Sequence, residues 1–530
     1  MNVNDSDIVR SLLIQAGMKE CSDERGADVL LTNTCAIREG AELKVWNRLQ
    51  ELKSTRKKHK ATSKIVGVLG CMAERLKENL LENGMADLVV GPDAYRDLPN
   101  LVSKLLQEDV DTAVNVQLSL EETYADVTPV RRNPNDVSAF VSVMRGCNNM
   151  CSYCVVPFTR GRERSRPLDS IVSEVQLLME EGVKEIVLLG QNVNSYHDKS
   201  EAAVMAQPSC DYQTSNEGFS NLYKLRGGAG HYFADLVEKV SNLNPELRVR
   251  FTSPHPKDYP PELLQLMVER PNVCNQLHMP AQSGSSSVLQ RMRRGYTREA
   301  YLELIDTVVS KIPDVAITSD FIAGFCGETQ EEHEDTLSLM ELVKYDQAFM
   351  FAYSMRGKTH AHRQLKDDVP EEVKQQRLQE IINVFRTQVQ RRNEEREVGR
   401  LRLVLVEGES KKSRPDHVTW HGRTDQNKRL VFPMQTDVGC RNEDDVKTML
   451  TLLRNVGSGG FQQSFASVSL RPGDYAVVQV TEARGHTLRG QVLWRTTLSS
   501  FAELNLSRAD EQQLKEAFSL NAITAESMTA

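Results

Sequence analysis

Arg145-Gly-Cys-Asn-Asn-Met-Cys-Ser-Tyr-Cys-Val155 follows directly on an apolar run at 139–144. It sets Cys147, Cys151 and Cys154 at the spacing Cys-x3-Cys-x2-Cys. Three thiolates on one short loop can hold three corners of a cubic iron–sulfur cluster. The fourth iron then lacks a protein ligand, and an open coordination position lets a metal centre bind a substrate or cofactor. Structural zinc is the alternative reading. It calls for a second Cys-x2-Cys knuckle or a histidine, and neither lies close by.

Downstream of this loop the chain keeps a strand–helix rhythm. Candidate strands fall at 139–144, 185–189, 248–252, 274–279, 316–322 and 348–353, with helical patterns such as 170–181 and 331–343 between them. Six such units predict a partial (βα)6 barrel with its chemistry at the C-terminal strand ends. The loops at those ends are polar or small: Gly190-Gln191-Asn192, Ser253-Pro-His-Pro, Gln282-Ser283-Gly, and Asp320 through Gly324, Gly327 and Glu328. The stretch 196–232 is rich in Ser, Gly, Asn and Gln and predicts a disordered insertion. Cys210 falls there, Cys440 falls in a similar polar stretch, and neither is given a role. Cys326 reads as a small filler.

Upstream, 7–16 predicts an amphipathic helix closed by Gly17. Strands at 27–32, 64–69 and 88–91 alternate with helices, as in a small parallel α/β domain. Cys35 and Cys71 each lie just past a strand, at the sheet edge where such folds bind ligands. Cys21 lies in a polar loop before the first of these strands. Region 98–132 reads as a helix and a linker.

The C-terminal third opens with a long polar helix at 370–397. Short strands with glycine turns follow at 402–407, 417–423, 430–432, 473–480 and 488–493, as in a small β-barrel. An extra insertion falls at 434–469.

The chain has 530 residues, 40% hydrophobic and 26% charged, with ten cysteines. That is a globular composition of about three domains and too few cysteines for a disulfide scaffold. No apolar run approaches the ~20 residues of a membrane span, and no targeting segment is visible. A net charge of −8 does not advertise a nucleic-acid binder, but local basic groups do. They are 53–60, Arg291/Arg293/Arg294/Arg298, and the alternating Arg160, Arg162, Arg164 and Arg166 just after the cysteine loop.

The cysteine loop, with Tyr153 before its last cysteine, resembles the signature of radical S-adenosylmethionine (SAM) enzymes. Asn33-Thr-Cys-Ala-Ile-Arg38 and Gly70-Cys-Met-Ala-Glu-Arg75 resemble cysteine motifs of the methylthiotransferase family. Pro157-Phe-Thr-Arg-Gly-Arg-Glu-Arg-Ser-Arg166 is similar to its MiaB-type, tRNA-acting branch, which includes animal mitochondrial members associated with a kinase regulatory subunit. The C-terminal barrel resembles a TRAM domain, an RNA-binding module.

The resemblance implies an α/β multidomain chain: 1–105 flavodoxin-like, 133–370 radical SAM core, 371–398 helical linker, 399–497 TRAM and 498–530 tail. It implies SAM and a [4Fe–4S] cluster on Cys147, Cys151 and Cys154, and a second cluster using Cys35 and Cys71. It implies cofactor contacts from Gly190, Gln191, Asn192, Ser253, Gln282, Ser283, Asp320, Gly324, Gly327 and Glu328, with RNA contacts from Arg160, Arg162, Arg164 and Arg166. The implied reaction is 2-methylthiolation of N6-isopentenyladenosine next to the tRNA anticodon. An unidentified electron donor is needed, and the implied location is mitochondrial, with cytoplasmic as alternative. The family's first cysteine sits in a Gly-Cys-x-Met-Asn motif, of which this chain begins with Met1-Asn2. The expectation is therefore a missing first strand and an incomplete second cluster, and the rival reading is a non-catalytic binding protein for the kinase regulator.

Overall fold

A computed structural model describes residues 1–35, 39–58, 64–107, 109–206, 218–220, 228–415, 418–433, 437–438, 466–467 and 470–514. The N-terminal domain runs α1 (Asn2–Gln15), β1 (Val29–Thr34), α2 (Glu39–Lys58), β2 (Ile65–Gly70), α3 (Cys71–Glu82), β3 (Leu88–Val90), α4 (Leu98–Leu106) and β4 (Ala113–Asn115). Its four strands are parallel in the order β1-β2-β3-β4. Every residue of β2 is buried, as a strand covered on both faces requires. Ile8, Leu12, Leu98 and Val102 cover one face of the sheet. Leu49, Met72 and Leu80 cover the other. The domain outruns the boundary at 105 that the sequence implied. β4 extends the sheet, and Tyr124 and Val127 belong to its core, with the Tyr124 hydroxyl donating to the Pro92 carbonyl at 3.0 Å.

The central domain follows with β5 (Ser138–Ser142), β6 (Met144–Arg145), α5 (Val156–Thr159), β7 (Arg164–Ser165), α6 (Leu168–Glu180) and β8 (Glu185–Leu189). The insertion contributes β9 (His197–Asp198), α7 (Glu201–Ala206) and β10 (His231–Tyr232). The regular units resume with α8 (Phe233–Ser241), β11 (Arg248–Thr252), α9 (Pro261–Glu269), β12 (Gln276–His278), α10 (Ser286–Arg291), α11 (Arg298–Lys311), β13 (Ala316–Ala323), α12 (Gln330–Val343) and β14 (Gln347–Ala352). Parallel runs β5-β8-β11 and β12-β13-β14 meet through a Val249–Val273 bridge, giving the six-unit open barrel. The run at 139–144 divides. β5 stays in the barrel, while β6 turns out to pair antiparallel with β7, so the cysteine loop becomes the tip of a hairpin.

The insertion differs from the disordered segment expected. Its two ends pair as β9 and β10, and the His197 and Tyr232 rings stack at 4.2 Å. Polar composition hides this because two-residue strands leave no periodic signal. Residues 207–217, with Cys210, and 221–227 lie outside the described residues.

The last third comprises α13 (His360–Gln364), α14 (Glu371–Arg396), β15 (Leu401–Glu409), β16 (Thr419–Thr424), β17 (Arg429–Pro433), β18 (Asp437–Val438), β19 (Ala466–Ser467), β20 (Tyr475–Arg484), β21 (Thr487–Thr496) and α15 (Leu498–Glu503). β15-β16-β17-β21-β20 close into a small barrel. Cys440, with most of the second insertion, lies outside the described residues. This barrel docks on the N-terminal ends of the central strands. Arg248 donates to the Leu403 and Arg423 carbonyls at 2.8 and 2.7 Å. Arg250 reaches Glu185 at 2.7 Å and the Thr424 and Asp425 carbonyls at 2.6 Å. Lys428 pairs with Asp346 and Glu397 at 2.8 Å, and Arg402 pairs with Asp314 and Glu397. The opposite, C-terminal edge is left to the cysteine loop and the N-terminal domain.

Candidate active site

The hairpin tip is fixed by backbone geometry. Gly146 sits at φ 74°, and a Cβ there would come within 2.0 Å of the Arg162 carbonyl oxygen, so only glycine fits. From the other side the loop is pinned by Ser152. Its N–H donates to Met292 O at 2.9 Å, and its carbonyl accepts from the Ala361 N–H at 2.7 Å. Gly146→Ala is expected to displace the loop, leaving a soluble protein that binds about four fewer irons per chain than wild type on reconstitution, the content of one cubane. Wild-type iron content in that variant would count against this geometry.

Each of the three sulfurs accepts a hydrogen. The Asn149 N–H donates to Cys147 Sγ at 3.4 Å, the Val156 N–H to Cys154 Sγ at 3.5 Å, and Arg294 Nη1 to Cys151 Sγ at 3.3 Å. Arg294 is buried, and its remaining donors go to the Tyr296 hydroxyl, the Tyr153 hydroxyl and the Pro280 carbonyl. Burial and the neighbouring thiols push Cys147 up, and burial with Cys151 pushes Cys154 up to about 12. Crowded thiols of this kind are relieved by a cationic metal core, which binds them deprotonated. Among the described residues no three metal-ligating groups converge on one ion. A cubane asks for something else, one thiolate at each of separate irons, so the donor set fits a cluster better than zinc.

Cys35 and Cys71 follow Thr34 and Gly70, which are partners in the parallel register, so both leave the same sheet edge. Cys71 is buried against Val155 of the cysteine loop, and Arg160 Nε donates to its sulfur at 3.2 Å. Two cysteine sites from two domains thus meet across one seam. Cys21 is exposed and its thiol donates to the Asp23 carbonyl.

The strand-end loops separate into two groups. At the end of β8, a Cβ on Gly190 would meet Met144 Cγ at 2.7 Å. The Gln191 amide donates to Met1 Sδ and the Asn192 amide to Asp258. Gln191 Oε1 and Asn192 Oδ1 are buried acceptors without a hydrogen-bond partner, and such atoms call for a ligand's donors. Ser253 and Gln282 hold φ 63° and 70°, a left-handed backbone that costs non-glycine residues about 1–3 kcal/mol and concentrates at working sites. Asp320 is partly exposed and pairs with His278 at 3.4 Å. The other group is spent on structure. Ser283 Oγ bonds Thr336 and the Ser285 N–H. Glu328 takes the Gly324 N–H and Arg377 of α14 at 2.8 and 3.1 Å. A Cβ on Gly324 would strike Lys374, and the Gly327 N–H donates to Asp368. Ser283, Gly324, Gly327 and Glu328 thereby brace β13, α12 and α14 against one another.

Residues 141–340 match the Radical SAM superfamily, and 1–91 match the uncharacterized protein family UPF0004. The mitochondrial tRNA methylthiotransferase CDK5RAP1 of Homo sapiens is 50% identical over 94% of this chain and 80% of its own length. A CDK5RAP1-like protein of Oryza sativa is 49% identical over 96% and 82%. The tRNA-2-methylthio-N(6)-dimethylallyladenosine synthase of Chloroherpeton thalassium is 47% identical over 85% and 91%. The chain is a radical SAM methylthiotransferase. A [4Fe–4S] cluster and SAM are therefore its cofactors.

In this methylthiotransferase the alternating arginines are not the RNA-facing row their spacing suggested. Arg160 is buried on Cys71 and Asp5. Arg164 is buried on Asp93 at 2.8 Å and on the Ser119 and Glu121 carbonyls. Arg166 is buried on Glu174 at 2.6 Å and on the Ser142 carbonyl. Their partners come from elements far away in sequence, which no local pattern reveals. Arg162 alone of the four is exposed. The sequence reading also missed Glu163, beside Ser195 and facing Asp258 and Lys257, whose carboxyl burial pushes up to about 7. It missed Asp5 and His278 as well. Arg294 had a signal, since it lies in the basic group 291–298. Among the described residues no helix is long and apolar enough to cross a membrane.

Proposed function

We propose that this chain places a methylthio group on C2 of N6-isopentenyladenosine, the base 3′ of the anticodon, in mitochondrial tRNAs. The observation that carries the reading is the burial of Cys71 against Val155, which brings the two cysteine sites together. The activities of the human and Chloroherpeton relatives, and the mitochondrial location of the human one, support it. Replacing an aromatic C–H by sulfur is beyond acid–base groups at neutral pH, so a cofactor supplies the reactivity and the protein the placement. A [4Fe–4S] cluster with SAM, when bound, supplies a 5′-deoxyadenosyl radical. Cys147, Cys151 and Cys154 would hold that cluster and Arg294 would offset its charge. Gln191 and Asn192 would accept hydrogen bonds from SAM. Cys35 and Cys71 would contribute to the second cluster. The small C-terminal barrel reads as a TRAM-like RNA module, and Arg162 remains a candidate phosphate contact. No observation favours the kinase-regulator reading.

The test is a nucleoside digest of tRNA incubated with anaerobically reconstituted protein, SAM and a reductant. The expected result is a nucleoside carrying methylthio in place of the C2 hydrogen. Turnover of SAM with no modified nucleoside from any isopentenylated tRNA would refute the proposal.

A further inference from the structure

The buried arginines leave open which cations meet the RNA backbone. The segment after β14, 353–366, emerges at the same C-terminal barrel edge as the cysteine loop and is joined to it by the Ala361 N–H to Ser152 O bond of 2.7 Å. It carries Lys358, His360, His362 and Arg363, and Arg293 meets it from the loop after α10. Arg293 Nη2 lies 2.6 Å from His360 Nε2. Burial, then the charges of Arg293 and Arg363, push the His360 pKa down, so its neutral ring accepts from Arg293. Like charges gathered in this way repel unless an anion joins them.

The neighbouring cations are provided for: Arg291 pairs with Glu332 and Arg356 with Glu42. Among the described residues no ion pair engages Arg293, Lys358 or Arg363. Glu74 of α3 senses the charge of Lys358 without pairing with it. Lys358 and Arg293 both sit at left-handed φ, 70° and 57°, which the surrounding structure must hold in place. The Arg363 guanidinium lies 5.8 Å over the half-buried Phe158 ring, four residues past Cys154. A cation beside an aromatic face is the pairing that single-stranded nucleic acids use for phosphate and base together.

We infer that Arg293, Lys358, His360, His362 and Arg363, with Phe158 as stacking platform, form the surface that holds the RNA strand at the mouth of the cysteine loop. This assignment rests on the tRNA reading above. It places the phosphate contacts on the rim of the catalytic face, where a chain of net charge −8 offers a local positive field to steer a polyanion.

The test is the salt dependence of binding of a synthetic anticodon stem–loop RNA to the full chain with reconstituted cluster. Three proteins are compared: wild type, R293Q/K358Q/R363Q, and the control K311Q/R391Q with cations removed from α11 and α14. Iron content and circular dichroism verify that each is folded. The expected result is a log–log slope shallower by about 2 in the triple variant, at about 0.7 per lost single-strand phosphate contact. R363Q alone loses about one contact, and the control keeps the wild-type slope. Wild type that binds with the same slope as the triple variant overturns this surface alone. Wild type that binds no RNA overturns the tRNA reading and the surface with it. Equal slopes together with slower cluster reduction by an acidic flavoprotein would reassign the patch to electron-donor docking, and so also overturn it.

Discussion

Alanine at Cys151 is expected to abolish reductive cleavage of SAM. The Cys151 sulfur is one of three thiolates on the loop, and three are the minimum that leave a cubane one open iron. It also accepts from Arg294, whose other donors reach only neutral oxygens. The substitution therefore removes a ligand and strands a buried guanidinium, a combination that side-chain repacking cannot restore. Anaerobic incubation with SAM and dithionite, followed by chromatography, should show no 5′-deoxyadenosine above the protein-free background. Iron per chain should fall by about four, the content of one cubane. Deoxyadenosine at even a tenth of the wild-type rate would mean that the radical centre lies elsewhere.

Asp5→Ala carries the largest expected cost in stability. Asp5 is fully buried and takes Arg160 on Oδ2 at 2.5 Å. Arg145 stands at 3.0 Å from Oδ1 as an ion pair without hydrogen-bond geometry, its guanidinium 4.6 Å over the Tyr124 ring. Removing the carboxylate leaves two buried cations facing each other, a loss of about 3–5 kcal/mol. Burial alone would raise the Asp5 pKa, but the charges of Arg160 and Arg145 overcome it and hold the carboxyl below its usual range. A lowered carboxyl contributes fully above its unfolded pKa and is lost as pH falls through the folded one. Urea midpoints of wild type and Asp5→Asn should therefore differ most at neutral pH and converge only in strong acid. A neutral-pH difference between wild type and Asp5→Ala under about 1 kcal/mol, the size of an ordinary substitution, would show that the seam does not depend on this residue.

Much of this architecture was legible in the chain itself. The cysteine spacing identified the loop, and each of the six central strands fell within a few residues of its apolar run, because buried parallel strands are written as short unbroken hydrophobic stretches. The closed C-terminal barrel was legible from short strands punctuated by glycine turns. What failed was anything decided by long-range pairing. Arg160, Arg164 and Arg166 read as a solvent-facing row, since alternation says nothing of Asp5, Asp93 and Glu174. Nothing local in the chain announced the pairing of Glu328 with Arg377 of α14. β4 is three residues long, too short to stand out from a linker.

The attachment of the small barrel bears on how the chain can be cut. Its link to α14 invites a scission near residue 398 to yield a minimal two-domain enzyme. Yet Arg402 and Lys428 lie beyond that point and neutralise Asp314, Asp346 and Glu397 before it. A shortened version would strip Asp314 and Glu397 of these partners at the floor of the central barrel, leave Asp346 to Arg392 alone, and expose unsatisfied donors of Arg248 and Arg250. Anyone trimming the chain for crystallisation or engineering must rewrite that floor, because the cut that looks modular in sequence passes through a shared charge network.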